Sequence, residues 1–162
     1  MVYYLSLGSN LGEREQTIRR ALELIGQQVG TVLRCSSFYY SEPWGFTSEH
    51  PFCNLCCAVE TSMEPLAVLA ATQSIERALG RTKKSYNPDA LSGEAGLSAK
   101  RSVSKAVCQP KAVYSDRSID IDLIQVFDDA GSEITCSTPT LTLPHPLWSD
   151  RPFVRIPLEE IK

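Results

Sequence analysis

One stretch near residue 120 alternates apolar and polar side chains with a period of two, which is typical of a β-strand with two different faces. In SIDIDLIQVF, residues 118–127, Ile119, Ile121 and Leu123 share one face. Asp120 and Asp122 share the other, about 7 Å apart. Two carboxylates this close repel each other and resist burial unless positive charge lies beside them. The chain must therefore cover one face of this strand with a core and leave the other face accessible to cations.

The remaining periodicities predict a mixed α and β fold. Apolar or β-branched runs predict strands at residues 2–7, 31–40 and 52–61. Helical spacing predicts a second helix from about 64 to 79 and a first helix whose apolar positions are Ile18, Ala21, Leu22, Ile25 and Val29. Asn10 and Glu13 resemble a capping box before the first helix, and Gly80 is a stop after the second. The C-terminal FVRIPLEEI reads as a short strand or a helical turn.

The predicted order is β-α-β-β-α-β with a C-terminal extension. This order is typical of an α+β, ferredoxin-like sandwich in which two helices cover one face of an antiparallel sheet. With 162 residues, the chain suits a single domain over residues 1–162.

Charge is distributed unevenly along the chain. The formal net charge of −3 argues against a general nucleic-acid binder, whereas residues 81–117 carry eight cations and three acids, a local net charge of +5. Within this basic loop, residues 85–112 lack any periodicity and are longer than compact domains usually leave unstructured. We therefore expect a mobile loop at about 81–117 that closes over a polyanion such as a nucleotide.

The chain shows neither an apolar run long enough to span a membrane nor the basic, then apolar start of a signal peptide, so we expect a cytoplasmic protein. Its six cysteines are then expected to be reduced and mostly buried. The CNLCC cluster does not favour zinc, because a strand would turn Cys53 and Cys57 to one face and Cys56 to the other.

Two interpretations of the aspartate pair remain open from spacing alone. The carboxylates could be solvated or paired with arginine at a sheet edge, or they could hold Mg²⁺, which prefers hard oxygen ligands together with substrate phosphates. No GxxxxGK[ST] phosphate loop occurs, so a nucleotide would be bound by cations and metal. Of the two histidines, His50 is expected in an exposed loop, and His145 near a strand end could contact a ligand.

A series of motifs resembles the 6-hydroxymethyl-7,8-dihydropterin pyrophosphokinase family of the folate pathway. In order, they are YLSLGSNLGER, SSFYYSEPWG, PFCNLCCAVETS, TQSIERALGR, DRSIDIDLI, LTLPHP and RPFVRIPL. The resemblance covers nearly the whole chain except residues 85–112 and implies a ferredoxin-like fold. The chain departs from the family in two places: Ser115-Asp116-Arg117-Ser118 stands where G-P-R-T is frequent, and the basic loop is longer.

The resemblance also implies an activity and a set of site residues. It implies transfer of pyrophosphate from ATP to 6-hydroxymethyl-7,8-dihydropterin, with two Mg²⁺ ions held by Asp120 and Asp122. Pterin-binding residues would be Ser41, Pro43, Trp44, Phe52, Asn54 and Phe153, with the two phenylalanine rings on either side of the pterin. ATP-binding residues would be Gln73, Glu76, Lys83, Lys84, Thr142, His145 and Arg151. The catalytic residues would be Arg81 and Arg117. The implied partners are small molecules, with neither nucleic acid nor membrane.

Two other classes share parts of these features. Ferredoxin-like sandwiches also serve as RNA-binding or regulatory modules, but an RNA-binding sheet would carry stacking aromatics on two central strands, and such a pair is not seen in this sequence. A two-metal nuclease would normally need more acidic ligands than this pair supplies.

Overall fold

The computed structural model describes residues 1–44, 47–80 and 116–162. The predicted mobile loop at about 81–117 lies outside these residues except for Asp116 and Arg117.

The described chain forms a five-stranded antiparallel sheet, a small two-stranded sheet and three helices. The main sheet has the order β2-β4-β1-β5, and β3 pairs with β4 beyond the end of β2. The elements in chain order are β1 (Val2–Ser9), α1 (Arg14–Gln28), β2 (Thr31–Cys35), β3 (Tyr39–Ser41), β4 (Phe52–Glu60), α2 (Pro65–Ala78), β5 (Asp120–Phe127), β6 (Cys136–Ser137), β7 (Thr142–Leu143) and α3 (Pro152–Ile161). The predicted α+β sandwich with an antiparallel sheet is confirmed.

Helices α1 and α2 cover one face of the sheet, as the alternating patterns predict. The apolar residues that alternate with the aspartates, Ile121 and Leu123, lie in this core together with Leu5 and Leu7 of the central strand β1. The helices contribute a periodic stripe of buried side chains, namely Ile18, Ala21, Ile25, Val68 and Ile75. Burying these side chains removes their apolar surface from water and is the main term that holds the helices on the sheet.

The prediction for the C-terminal extension was wrong, because residues 152–161 form the full helix α3, which covers the opposite face of the sheet. Val154, Leu158 and Ile161 follow i, i+4, i+7 spacing and are buried against Tyr4 and other residues of that face. Pro157 lies inside α3, a position that proline usually disfavours. The loss of one backbone hydrogen bond at that proline is offset by the apolar stripe that α3 buries.

Two local predictions were also wrong. Residues 31–40 form two strands, because Ser36 interrupts the ladder: its backbone N–H bonds the Cys56 carbonyl at 2.8 Å, and its Oγ accepts the Cys56 N–H at 3.0 Å. Helix α1 begins at Arg14, and Glu13 at its N-cap makes no side-chain capping bond. Asn10 lies outside the helix and bonds other segments, so no capping box forms.

The cysteine prediction is confirmed in its central part. Cys53 and Cys57 lie in the helix-covered core, and Cys56 lies on the opposite face. Cys35, however, is exposed at the sheet edge, and the five cysteines of the described residues are all free thiols. Within residues 1–44, 47–80 and 116–162, no group of three or more His, Cys, Asp and Glu side chains is arranged to hold a metal. None of the helices in this part of the chain combines the length and apolar character that crossing a bilayer requires.

Candidate active site

The face of the sheet that carries Asp120 and Asp122 is apolar at one end and polar at the other. Helix α3 covers the apolar end. Toward the other end, register pairs Gly8 of β1 with Asn54 on one side and with Asp120 on the other, and Ser6 similarly lies between β4 and Asp122. The three neighbouring strands β4, β1 and β5 therefore bring an amide, a glycine and two carboxylates onto one continuous surface.

The two aspartates differ in their surroundings. Arg117 Nη1 donates to Asp120 Oδ2 at 2.5 Å, an ion pair between side chains that are only 12% and 20% exposed. The pKa of Asp122 is raised to about 7, first by burial and next by the negative charge of Asp120, whereas Arg151 and Arg117 act in the opposite direction. Asp120 is thus paired with an arginine, whereas additional positive charge would stabilise the charged form of Asp122.

Glu76 attaches helix α2 to the aspartate strand. Its side chain is 4% exposed, and Oε1 accepts the N–H of Ile121 at 2.7 Å. Strand β5 lies at the edge of the sheet, so this carboxylate satisfies a backbone donor between the two aspartates. Gln73, predicted beside it for ATP, lies almost one turn earlier on α2 and is half-buried.

His145 and Arg151 approach the aspartates from the chain between β7 and α3. The pKa of His145 is lowered to about 4, first by burial and then by the charge of Arg151, so the imidazole is neutral near pH 7. Its Nδ1 accepts the N–H of Leu147 at 3.3 Å, which leaves the proton on Nε2 as a donor. Thr142 lies three residues earlier on β7 and is exposed. Arg151 is 8% exposed at the start of α3.

On β4, Asn54 is fixed by two hydrogen bonds. Its Nδ2 donates to the Tyr39 carbonyl at 3.1 Å and to Ser41 Oγ at 2.9 Å, so both amide hydrogens are used. The carbonyl oxygen Oδ1 then lies beside Gly8, where an added Cβ would come within 3.1 Å of it. Because Gly8 has no side chain, a fixed acceptor and the Phe52 ring lie close to its backbone.

The aromatic rings predicted to bind the pterin form two separate contacts. Phe52 is buried at the start of β4, and the Arg117 guanidinium lies 5.8 Å from its ring centroid. The rings of Trp44 and Phe153 lie 6.0 Å apart at a tilt of 59°, and Trp44 is 46% exposed. Pro43 precedes Trp44 and is half-buried.

Electrostatic interactions join Asp120, Asp122, Arg117, Arg151 and His145 into one group. Arg81, Lys83 and Lys84, also predicted for this site, lie outside the described residues.

Sequence reasoning missed two residues of this site. Gly8 was not singled out, although a glycine within a strand pattern often marks a close approach to the backbone. Asn10 was interpreted as a helix cap, but it is 2% exposed and bonds two segments distant in sequence. No pattern in the sequence indicates those bonds, because they join residues about 40 and 107 positions apart.

Comparison with known proteins gives a consistent result over the whole chain. The family described as 7,8-dihydro-6-hydroxymethylpterin-pyrophosphokinase matches residues 4–93 and 90–162. The 2-amino-4-hydroxy-6-hydroxymethyldihydropteridine pyrophosphokinase of Porphyromonas gingivalis is 40% identical over 162 residues, covering 99% of this chain and 90% of its own. The protein of the same name from Bacillus subtilis is 31% identical, covering 99% of this chain and 77% of its own.

A solved structure also has the same fold. A crystal structure described as HPPK-DHPS in complex with substrates aligns with a TM-score of 0.60 at 14% identity. The alignment covers 99% of this chain and 40% of that one, and at this identity it supports the fold alone.

Proposed function

This chain belongs to the 7,8-dihydro-6-hydroxymethylpterin-pyrophosphokinase family, and from that membership we propose which of its residues carry out the reaction. It is an ATP-dependent enzyme of folate biosynthesis that transfers a pyrophosphoryl group from ATP to 6-hydroxymethyl-7,8-dihydropterin. ATP loses its β- and γ-phosphates together, so the products are the pterin diphosphate and AMP. We take residues 1–162 as one catalytic unit, which works in the cytoplasm, where ATP is available.

The residues at the aspartate pair suit Mg²⁺. Asp120 and Asp122 supply hard oxygen donors on one sheet face, and the raised pKa of Asp122 means that its carboxylate gains from a nearby cation. Two bound Mg²⁺ ions would neutralise the phosphate oxygens of ATP beside these carboxylates. Glu76 holds the strand between the aspartates in register through its bond to Ile121.

The pterin would lie over Gly8. The fixed Oδ1 of Asn54 accepts a hydrogen bond from the donor edge of the pterin, and Ser41 holds that amide in place. Phe52 and Phe153 would stack on the two faces of the bicycle, with Pro43 and Trp44 closing its edge. A ligand without the matching donor would leave Asn54 unpaired, and this cost supplies specificity.

The phosphates of ATP would lie beside the positive side chains of the site. Arg117 and Arg151 flank the aspartates, and neutral His145 donates from Nε2 without adding charge. We propose that Gln73, Glu76 and Thr142 line the nucleotide side, and that Arg81, Lys83 and Lys84 add charge from the basic loop. Attack of the pterin hydroxymethyl oxygen on the β-phosphorus needs no covalent protein intermediate, so these residues act by positioning and by charge stabilisation.

The observation that carries the proposal is the row Asn54, Gly8 and Asp120 across three neighbouring strands. It sets an amide acceptor for a flat heterocycle and a carboxylate for metal-bound phosphate on one face, separated by a residue without a side chain. A ligand that carries both groups, or two ligands that react across the gap, would span this row.

The direct test is release of AMP from ATP, measured by HPLC with and without the hydroxymethyl-dihydropterin. We expect AMP only when both substrates and Mg²⁺ are present, and a loss on the order of 10²-fold or more in Asp120→Asn and Asp122→Asn. Asp129→Asn is the matched control, because that side chain is 92% exposed and distant in the sheet register. Calorimetric titration with Mg²⁺ and a non-hydrolysable ATP analogue gives a second readout, in which only the control should retain wild-type affinity.

The alternative of a nucleic-acid-binding module is tested with the same preparation. Our proposal assigns the basic residues to ATP, so a labelled RNA should not be retained in the absence of ATP. Retention of RNA at physiological salt, together with AMP release that does not depend on the pterin, would contradict the proposed function.

A further inference from the structure

Asn10, directly after β1, joins two segments that lead into the site. Its side-chain Oδ1 accepts the backbone N–H of Arg117 at 2.8 Å, and its backbone N–H donates to the Arg117 carbonyl at 3.2 Å. Its Nδ2 donates to Asp116 Oδ1 at 2.6 Å and to the His50 carbonyl at 3.3 Å. The Asn10 side chain is buried and uses both its acceptor and its donors.

A second connection joins the same two segments. The Ser48 hydroxyl donates to the Asp116 carboxylate, and this bond, followed by that from Asn10, holds the pKa of Asp116 below its usual value. The same Ser48 Oγ accepts the N–H of His50 at 3.1 Å. Residues 47–51 are therefore tied to residues 116–117 by side chains from both segments and by Asn10 between them.

Each tied segment leads directly to a residue of the site. Residues 47–51 run into Phe52, and Asp116 precedes Arg117. The Arg117 guanidinium lies over the Phe52 ring at 5.8 Å and pairs with Asp120. The connected backbones thus carry the two side chains at which the pterin side and the phosphate side of the site meet.

We propose that Asn10 and Asp116 form a latch that positions Phe52 and Arg117 relative to each other, so that the pterin and phosphate sides are assembled as one unit. The inference rests on the proposed function, and both members of the latch are positioning residues. An amide is required at position 10, because the side chain accepts from one segment and donates to the other. Aspartate has the same shape, but it can only accept and would face the Asp116 carboxylate and the His50 carbonyl.

Three variants test the latch, with a fourth as control. Asn10→Asp keeps the bond from Arg117 and turns the bond to Asp116 into a repulsion. Asp116→Asn keeps an acceptor for Asn10 in neutral form. The double variant, Asn10→Asp with Asp116→Asn, exchanges the two groups, so that the amide at 116 donates to the carboxylate at 10.

The matched control is Gln125→Glu. Gln125 is also a buried amide, and its Nε2 donates to Glu133 Oε1 at 2.6 Å, the same separation as in the latch. It pairs with Tyr4, at the end of the sheet away from Gly8. This variant introduces the same carboxylate repulsion without touching the segments before Phe52 and Arg117.

Two readouts are used on the full chain. Hydrogen exchange of the ligand-free protein reports protection of residues 47–51 and 116–117, and steady-state AMP release reports kcat and KM for each substrate. For Asn10→Asp we expect faster exchange in both segments and a fall of about 10-fold or more in kcat/KM for the pterin. The exchanged double variant should recover to within about 3-fold of Asp116→Asn, and Gln125→Glu should stay within about 2-fold of the wild type.

The outcomes separate the latch from general destabilisation. Failure of the double variant to improve on Asn10→Asp, or wild-type exchange and kinetics in Asn10→Asp, would overturn the proposal. An equal loss of pterin kcat/KM in Gln125→Glu would show that any buried carboxylate has this effect, and would overturn it as well. If the wild-type protein released no pterin-dependent AMP, the proposed function would fail, while the exchange measurements would still decide whether the latch exists.

Discussion

Replacing Asp122 with asparagine should stabilise the ligand-free protein while it removes activity. The folded protein raises the pKa of Asp122 from its ordinary value of 3.8 to about 7, because burial and the charge of Asp120 penalise its charged form. Asparagine has nearly the same shape and no charge, so the variant does not incur that penalty. Under the proposed function, the charge that carries this penalty is the one that binds Mg²⁺.

The size of the gain follows from the shift. A difference of about three pKa units corresponds to about 4 kcal/mol, at ~1.4 kcal/mol per unit. This value is the upper limit on the increase in the free energy of unfolding that Asp122→Asn can give. Asp122 keeps some contact with water, and screening should reduce the measured gain to about 1–3 kcal/mol.

The sign of the pH dependence is fixed by the direction of the shift. Since the folded state binds the proton of Asp122 more tightly than the unfolded state, its contribution to stability is fully present below pH 4. It is lost as pH rises toward 7. The difference in the free energy of unfolding between Asp122→Asn and the wild type should therefore be near zero at pH 4 and largest above pH 7.

The assay is urea unfolding of both proteins between pH 4 and pH 8, with Asp120→Asn as control. The control also relieves the repulsion, but it removes the ion pair with Arg117, so its gain should be smaller. A variant that is no more stable than the wild type at pH 8, or a gain that is constant across the pH range, would refute the reasoning.

Three further changes have defined outcomes. Glu76→Ala removes the buried acceptor of the Ile121 N–H and should lower the free energy of unfolding by about 1–3 kcal/mol, as measured by urea unfolding. Glu76→Gln keeps an acceptor and should stay within about 1 kcal/mol of the wild type in the same measurement. Leu158→Ala should cost about 2–5 kcal/mol in the same measurement, because this side chain is fully buried between α3 and the sheet; a loss below 1 kcal/mol would mean that α3 is not packed as described. Gly8→Ala places a Cβ 3.1 Å from Asn54 Oδ1. In the AMP assay it should raise the KM for the pterin about 10-fold with little change in the KM for ATP. An equal rise in the two KM values would contradict the placement of the pterin over Gly8.

The family resemblance implies a catalytic role for Arg81 and Arg117 and a role in ATP binding for Lys83 and Lys84, and all four roles stay predictions. For Arg117, the structure adds an ion pair with Asp120 and a position over the Phe52 ring.

The sequence by itself determined that α1 and α2 cover one face of an antiparallel sheet, and it determined which residues of β5 face that core. Periodicity placed Ile121 and Leu123 in the core and both aspartates opposite them, because alternation in a strand depends only on neighbouring residues. The same local reasoning failed for residues 152–161, which were predicted as a short strand or a helical turn. They form a full helix because an apolar stripe along it packs against the sheet.

Only the tertiary structure decided which distant residues meet. The row of Asn54, Gly8 and Asp120 depends on the pairing of three strands, and the contacts of Asn10 depend on two chain segments arriving at one place. The raised pKa of Asp122 likewise comes from its burial and from the charges that surround it in the fold. Such properties follow from long-range contacts and desolvation, which a local pattern of residues does not specify.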